Sequence, residues 1–517
     1  MAKFNKLRAK AAVRSAIATQ TRPNGVTFEG APGFERDAKS ELFLLAVANM
    51  VGQDEFYEGA ADRDDRYHRL IAEVAVSDPD WIVRFLTWLR AEANMRSASM
   101  VGALHAAWAM VGAGLPGSRQ VVAGALKRAD EPGEALAYWM TTHGRAVPKP
   151  VKRGIADAAR RLYTEYALLK YDTGSKGFRF GDVVDLTHPT PTAPWQGDLF
   201  AWALARRHQR DQAIPESLAM VGANARLRAE AAGDPRTLLD PLALKAAGMT
   251  WEDVLSLAGS TVDKSALWTA LIPSMGYMAL LRNLRNFDDA GVPDAVAAEV
   301  AARLADPDRV AASRQFPFRF LAAYRAAAKS LRWSHALERA LHASLANVPA
   351  LPGRSLILVD LSGSMYGRAA KSELTRADVA KVFGAALALR TDEPTLAWFD
   401  NSSGQVQVPK GTSLLALVES FPRAGGGTST GAAVQRWYKG HDRVVIVTDE
   451  QAHYTGHGNV AAAVPNHIPV YTWNLGGYRR GHAPSGLGTR HTFGGLTDQG
   501  FRVIPLLERG QDAGWPF

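Results

Sequence analysis

The sequence predicts two folds in one chain: an all-helical array first, then a doubly wound α/β domain. Three observations carry this prediction. Apolar residues recur at helical spacing from about residue 78 to 331, with little strand-like alternation. After residue 350, short continuous apolar runs alternate with helical stretches. Two of those runs end on a carboxylate, Asp360 and Asp449.

Taken in order, residues 1–22 carry six basic side chains and no acid, with no long apolar core. They read as a basic arm, not a secretory leader. Asp78-Pro79-Asp80 is a helix start, with Asp as cap and Pro in the first turn. Trp81, Phe85, Trp88 and Glu92 then share one face, and Ile82, Leu86 and Leu89 another. Similar stretches follow at 100–113, 118–129, 132–142, 150–169, 196–208, 215–230, 251–258, 265–284, 291–304 and 316–331. Gly, Pro or Asp separates most of them. Neighbouring helices of such an array bury one another's apolar faces, as in a solenoid, although no literal repeat is present.

Beyond residue 350, Ser355–Asp360, Thr395–Phe399, Arg443–Thr448 and Pro469–Trp473 read as buried parallel strands. Helices are expected at about 371–390, 412–420 and 429–439. The predicted boundaries are a basic arm 1–22, a helical module 23–346, a linker 347–353 and an α/β domain 354–517.

Composition narrows the function classes. With 517 residues, 47% hydrophobic and 21% charged, the chain is globular, neither disordered nor collagen-like. It has no cysteine, which excludes disulfide scaffolds, thiolate zinc sites and cysteine nucleophiles. No apolar run reaches the roughly 18 residues a membrane span needs. The best candidate, 100–115, is broken by His105 and glycines. A cytoplasmic monomer without membrane contact is expected. The net charge of +9 is unevenly placed. Residues 1–22 and 145–179 each carry +6, residues 350–517 carry +3, and the rest of the helical module is net acidic.

The α/β domain holds the first chemical signal. Asp360-Leu-Ser362-Gly-Ser364 follows a buried strand, at the sheet edge where open α/β folds bind ligands. The glycine-rich Gly425-Gly-Gly-Thr428 offers a further hydroxyl, and Asp449 ends another strand. Two acids and three hydroxyls make an all-oxygen set suited to a hard divalent cation, Mg²⁺ first, with Mn²⁺ or Ca²⁺ as substitutes. Gly427-Thr-Ser429-Thr-Gly431 also fits a hydrolase elbow. A loop precedes it where the elbow needs a strand, and that reading leaves Asp360, Ser362 and Ser364 without a role. No residues are arranged for catalysis.

The second signal is the basic stretch 145–179. Lys149, Lys152, Arg153, Arg160 and Arg161 fall roughly on one side of a helix, with Arg145 just before it. Tyr163, Tyr166, Tyr171 and Phe178 interleave with the charges, offering either core packing or stacking on unpaired bases.

Asp360, Ser362, Ser364, Thr428 and Asp449 together resemble the metal-ion-dependent adhesion site of von Willebrand factor A domains. A long helical module before such a domain resembles the TROVE family, that of the Ro autoantigen. Local stretches carry the likeness: 152–157, Lys170-Tyr171 through Gly177-Phe178 to Leu186-Thr-His188-Pro, 278–284 and 316–320. The resemblance implies a HEAT-like helical ring followed by a Rossmann-like A domain. It implies binding of small noncoding Y-like RNAs and of single-stranded ends of misfolded RNA. RNA contact maps onto Lys170 and His188, with Tyr171 beside them. Arg145, Lys149, Lys152 and Arg153 follow from charge, and Arg282 is a candidate for an inner surface. The family also suggests an exoribonuclease tethered through bound RNA. The alternative is a metal-dependent protein-binding adaptor with no RNA role.

Overall fold

The computed structural model describes residues 12–48, 51–327, 330–369, 374–454 and 459–517. The chain forms two compact units. One is Arg66–Ser344; the other joins the residues up to Asp65 with Leu345–Phe517.

The strands lie in the second unit: β1 (Gly25–Val26), β2 (Pro32–Glu35), β3 (Leu351–Asp360), β4 (Thr391–Phe399), β5 (Ser403–Val406), β6 (Arg443–Thr448), β7 (Val470–Asn474), β8 (Arg480–Gly481) and β9 (Arg490–Gly494). The main sheet has the order β5-β4-β3-β6-β7-β9. Only β5 is antiparallel in it. Strand order reverses between β3 and β6, so the carboxyl ends of these two strands flank the switch point. Every residue of β6 is buried, as are the last six of β3. That is why both read as unbroken apolar runs. Leu356, Leu358, Val444 and Ile446 form one side of the core with Val434 from the helix Thr430–Trp437. The helix Arg376–Leu389 packs against β3 and β4, and Thr375 and Asp378 close a capping box at its start.

The N-terminal boundary differs from the sequence-based one. The described residues from 12 to 65 fold with the α/β unit, not with the helices. Strand β2 pairs with β8, joining Phe34 to Gly481 and Glu35 to Arg480. The Ser15 and Thr19 amides donate to the Gly486 and Ser485 carbonyls. The Arg36 guanidinium pairs with the buried Glu450 carboxylate. The helix Ala38–Ala48 is buried on nearly every side. The expected arm 1–22 is thus tied down from Arg14 onward, and residues 1–11 lie outside the described residues. The physical reason is edge pairing: short strands with few apolar residues gain their stability from distant partners.

The other unit is helical, as expected. Asp78 caps the helix Pro79–Ala91 by accepting from the Trp81 amide at 3.0 Å. Trp81, Ile82, Phe85, Leu86 and Leu89 are all buried. Two predicted helices are broken. Residues 150–169 split into Lys149–Leu162 and Glu165–Tyr171, because Tyr163 is extended and Thr164 caps a new helix. Residues 265–284 split into Lys264–Leu271 and Tyr277–Asp289 around Ile272-Pro-Ser. The array returns to its start: the Asn94 amide donates to the Arg314 carbonyl at 3.0 Å, 220 positions along the chain.

Candidate metal centre and nucleic-acid interface

In the α/β unit, Asp360 sits at the end of β3 and is wholly buried. Its carboxylate accepts from the Ser362 amide at 2.9 Å and from the Thr448 hydroxyl at 2.6 Å. The Ser362 and Ser364 hydroxyls are 3.3 Å apart. Asp449, just past β6, is also buried, and its Oδ1 accepts from the Gln451 amide at 3.0 Å. Thr428 is buried in the glycine loop, which docks on the Ser362–Ser364 turn through a 2.8 Å bond from the Gly363 amide to the Gly426 carbonyl.

This pair of carboxylates is electrostatically loaded. Burial raises the Asp360 pKa, and the nearby Asp449 charge raises it further. Burial likewise raises that of Asp449. Asp449 Oδ2 is buried with no hydrogen bond. A buried acceptor without a donor is costly, and a cation would satisfy it. Two acids with three hydroxyls suit a hard divalent ion, so these residues fit such a group.

Sequence reasoning missed the residues that hold the glycine loop. Asp400, at the end of β4, accepts from the Gly426 amide at 3.0 Å and the Gly425 amide at 3.4 Å. Its carbonyl accepts from the Ser429 amide, and Asn401 holds the Gly427 amide at 2.9 Å. The signal was present, since Trp398-Phe-Asp400 repeats the pattern of an apolar strand ending in an acid. Ser429 begins the helix Thr430–Trp437 from a loop, not from a strand, as its role outside a hydrolase elbow requires.

In the helical unit, Lys149, Lys152 and Arg153 all fall in the opening turn and a half of Lys149–Leu162. Arg145 lies in the loop before it. Arg145, Lys149 and Arg153 are exposed and Lys152 is half-buried; none has an ion-pair partner among the described residues. The helix cap is Pro148, which has no side-chain hydrogen bond to offer, and the first turn holds no acid. Cations at a helix N-terminus oppose its dipole, at roughly 0.3–1 kcal/mol each. The arrangement costs stability and suits an anion.

Three further cations of the basic stretch are tied to the protein itself. Arg161 donates to the Ala123 and Leu126 carbonyls, Arg179 pairs with Asp172 at 2.7 Å, and Lys176 lies 3.8 Å from Glu134. Tyr163 is buried and stacks on Phe180 with centroids 3.7 Å apart, so it is core and not a base platform. Lys170 is exposed on Glu165–Tyr171, 5.5 Å from the Tyr166 ring and 5.3 Å from the Tyr171 ring. Arg128 also approaches Tyr171, at 5.5 Å. His188 is exposed and ends the helix Phe180–Thr187 in the left-handed region, with φ 50°. Arg282 is exposed on Tyr277–Asp289, where its charge lowers the pKa of Arg319 after burial has done so. The structure therefore gathers Arg145, Lys149, Lys152 and Arg153 at one helix start and Lys170 with Tyr171 on the next helix. His188 and Arg282 stand on separate elements.

An array of packed helices and an A-type α/β unit with an oxygen-donor site define the class. Comparison with known proteins agrees. A family model described as the TROVE domain matches residues 238–331. Over 77 residues, 14% of this chain, the sequence is 43% identical to telomerase protein component 1 of Mus musculus. The match spans only 3% of that relative's length. The crystal structure of the Deinococcus radiodurans Ro (RSR) protein superposes with a TM-score of 0.59 at 16% identity, covering 91% of this chain and 100% of that one. The helical unit thus carries a match to the TROVE domain over residues 238–331, and the chain shares the fold of the Ro (RSR) protein. Among the described residues, no helix is long and apolar enough to cross a membrane.

Proposed function

We propose that this protein binds RNA through its helical unit and acts as a non-catalytic scaffold. The observation that carries the reading is the uncapped start of Lys149–Leu162, surrounded by Arg145, Lys149, Lys152 and Arg153 without ion-pair partners. Phosphates supply the negative charge that this helix end lacks. Lys170, Tyr171, His188 and Arg282 extend the contact to single-stranded segments, where exposed Tyr166 offers a stacking face. The ligands are small structured RNA of the Y-like kind and the single-stranded ends of misfolded RNA, in RNA quality control or a stress response. An exoribonuclease associates through the bound RNA. The protein works as a cytoplasmic monomer.

In the α/β unit, Asp360, Ser362, Ser364, Thr428 and Asp449 hold a divalent cation, Mg²⁺ before Mn²⁺ or Ca²⁺. Bound there, the ion neutralises two buried carboxylates and fixes the loops after β3 and β6. The chain's own residues orient it: Thr448 and the Ser362 amide hold Asp360, and Asp400 and Asn401 hold the glycine loop.

Crosslinking in the native cell, followed by sequencing of the bound RNA, tests the reading. Small structured RNAs should dominate the crosslinks, with sites at 145–153 and around 170. Recovery of protein partners alone, with no RNA on the purified chain, would sink it in favour of the adaptor.

A further inference from the structure

The segment 27–31 is bonded to the loop that follows Asp449. The Thr27 hydroxyl donates to the Ala452 carbonyl at 2.7 Å, and the Ala31 amide bonds the same carbonyl at 3.2 Å. Between them, the Phe28 amide donates to Gln451 Oε1 at 2.9 Å. The Phe28 ring stacks on Tyr57 with centroids 5.0 Å apart. These ties present Glu29 to the centre. The Tyr57 hydroxyl donates to Glu29 Oε1 and also meets the Ser364 side chain. Glu29 Oε2 lies 3.1 Å from His453 Nε2. One tyrosine hydroxyl therefore separates the Glu29 carboxylate from Ser364. The buried, unbonded Asp449 Oδ2 stands in the same centre.

Among the described residues, no three His, Asp or Glu side chains converge as direct metal ligands, and the Tyr57 hydroxyl lies between Glu29 and Ser364. A hard cation held by two carboxylates and hydroxyls keeps water on its open side. A carboxylate at that remove accepts from such a water, and outer partners of this kind are worth about tenfold or more in metal affinity. Glu29 is also anchored on both flanks, so it competes at the high effective concentration of an intramolecular group. We infer that Glu29, positioned by Tyr57, closes the open side of the cation site from within the chain, leaving no position there for another protein's carboxylate.

This inference rests on the cation reading proposed above, and the experiment separates the two. Mn²⁺ binding is followed by electron paramagnetic resonance on the full chain, wild type against Asp360→Asn, Glu29→Gln and Glu29→Ala. Access of an outside carboxylate is followed by Mn²⁺-induced relaxation of ¹³C-acetate. The expected result is loss of Mn²⁺ binding in Asp360→Asn and about tenfold weaker binding in Glu29→Gln. Strong acetate relaxation is expected only in Glu29→Ala. Thr27, Phe28 and Ala31 keep their anchors in Glu29→Gln, and circular dichroism checks that both Glu29 variants are folded. Equal Mn²⁺ binding by wild type and Asp360→Asn would overturn the cation reading and this inference with it. Binding lost in Asp360→Asn, but acetate relaxed equally in wild type and Glu29→Ala, would overturn this inference alone.

Discussion

Neutralising Lys149, Lys152 and Arg153 together, as Lys149→Gln, Lys152→Gln and Arg153→Gln, should move RNA affinity and stability in opposite directions. Each phosphate contact contributes about 0.7 to the log–log salt slope for single strands and about 0.9 for a duplex. Three lost contacts flatten the slope by roughly 2.1 or 2.7. Between 50 and 200 mM salt, wild-type affinity should then fall roughly 20-fold more than the variant's for a single strand, and roughly 40-fold more for a duplex. Stability should rise, because the three cations oppose the dipole of a helix whose Pro148 cap offers no hydrogen bond. At the screened, exposed end of the range the gain is about 1 kcal/mol. Glutamine keeps most of the aliphatic stem that Lys152 packs. The assay is fluorescence anisotropy with a labelled stem-loop carrying a single-stranded tail, beside urea unfolding. An unchanged salt slope would refute the phosphate assignment. A destabilised variant would refute the claim that these charges are held against the helix.

Other expectations concern stability and the metal centre. Asp360→Asn should raise the melting temperature in chelator, since it removes one of two buried repelling charges, and should abolish the stabilisation by Mg²⁺; calorimetry with and without Mg²⁺ reads both. Gly181→Ala should destabilise by about 1–3 kcal/mol in urea unfolding, because its Cβ would lie 2.6 Å from the Ala203 carbonyl oxygen. Burial lowers the His482 pKa to about 4, with Arg36 also lowering it and Glu450 opposing. The unfolded chain therefore takes up this proton first, and the contribution is full above about pH 6.5 and is lost as pH falls toward 4. That loss is on the order of 3 kcal/mol, and it should vanish from the pH–stability profile of His482→Gln.

Much of the fold was legible because burial writes itself into strands and helices. Asp78 with Pro79 marked a true helix start, and the apolar runs before Asp360 and Asp449 marked the two strands at the switch point. The breaks at Tyr163 and Pro273 were harder, since apolar spacing continues across both. Strand β9, Arg-His-Thr-Phe-Gly, has no apolar run and is recognisable only by its pairing with β7. For the candidate metal centre, donor chemistry at strand ends pointed to five residues, but gave no sign of Asp400, which holds the glycine loop, or of Glu29 and Tyr57, which come in on loops. In the basic stretch the charges were visible and their partners were not. Arg161, Arg179 and Lys176 are spoken for by carbonyls and acids that lie far from them in sequence or across a turn.

The pairing of β2 with β8 also bears on how the chain is made. Arg479 reaches Glu35 across 444 positions. At roughly 5–20 residues per second, a ribosome takes about 20–90 s to span that interval. Throughout it the helix Ala38–Ala48, apolar almost all round, has none of the α/β core it ends up in. The helical unit can fold meanwhile from its own contacts, whereas the first segment must be sheltered until the last strands emerge. A nascent chain stalled before residue 480 should therefore recruit chaperones through its beginning, not through its growing end.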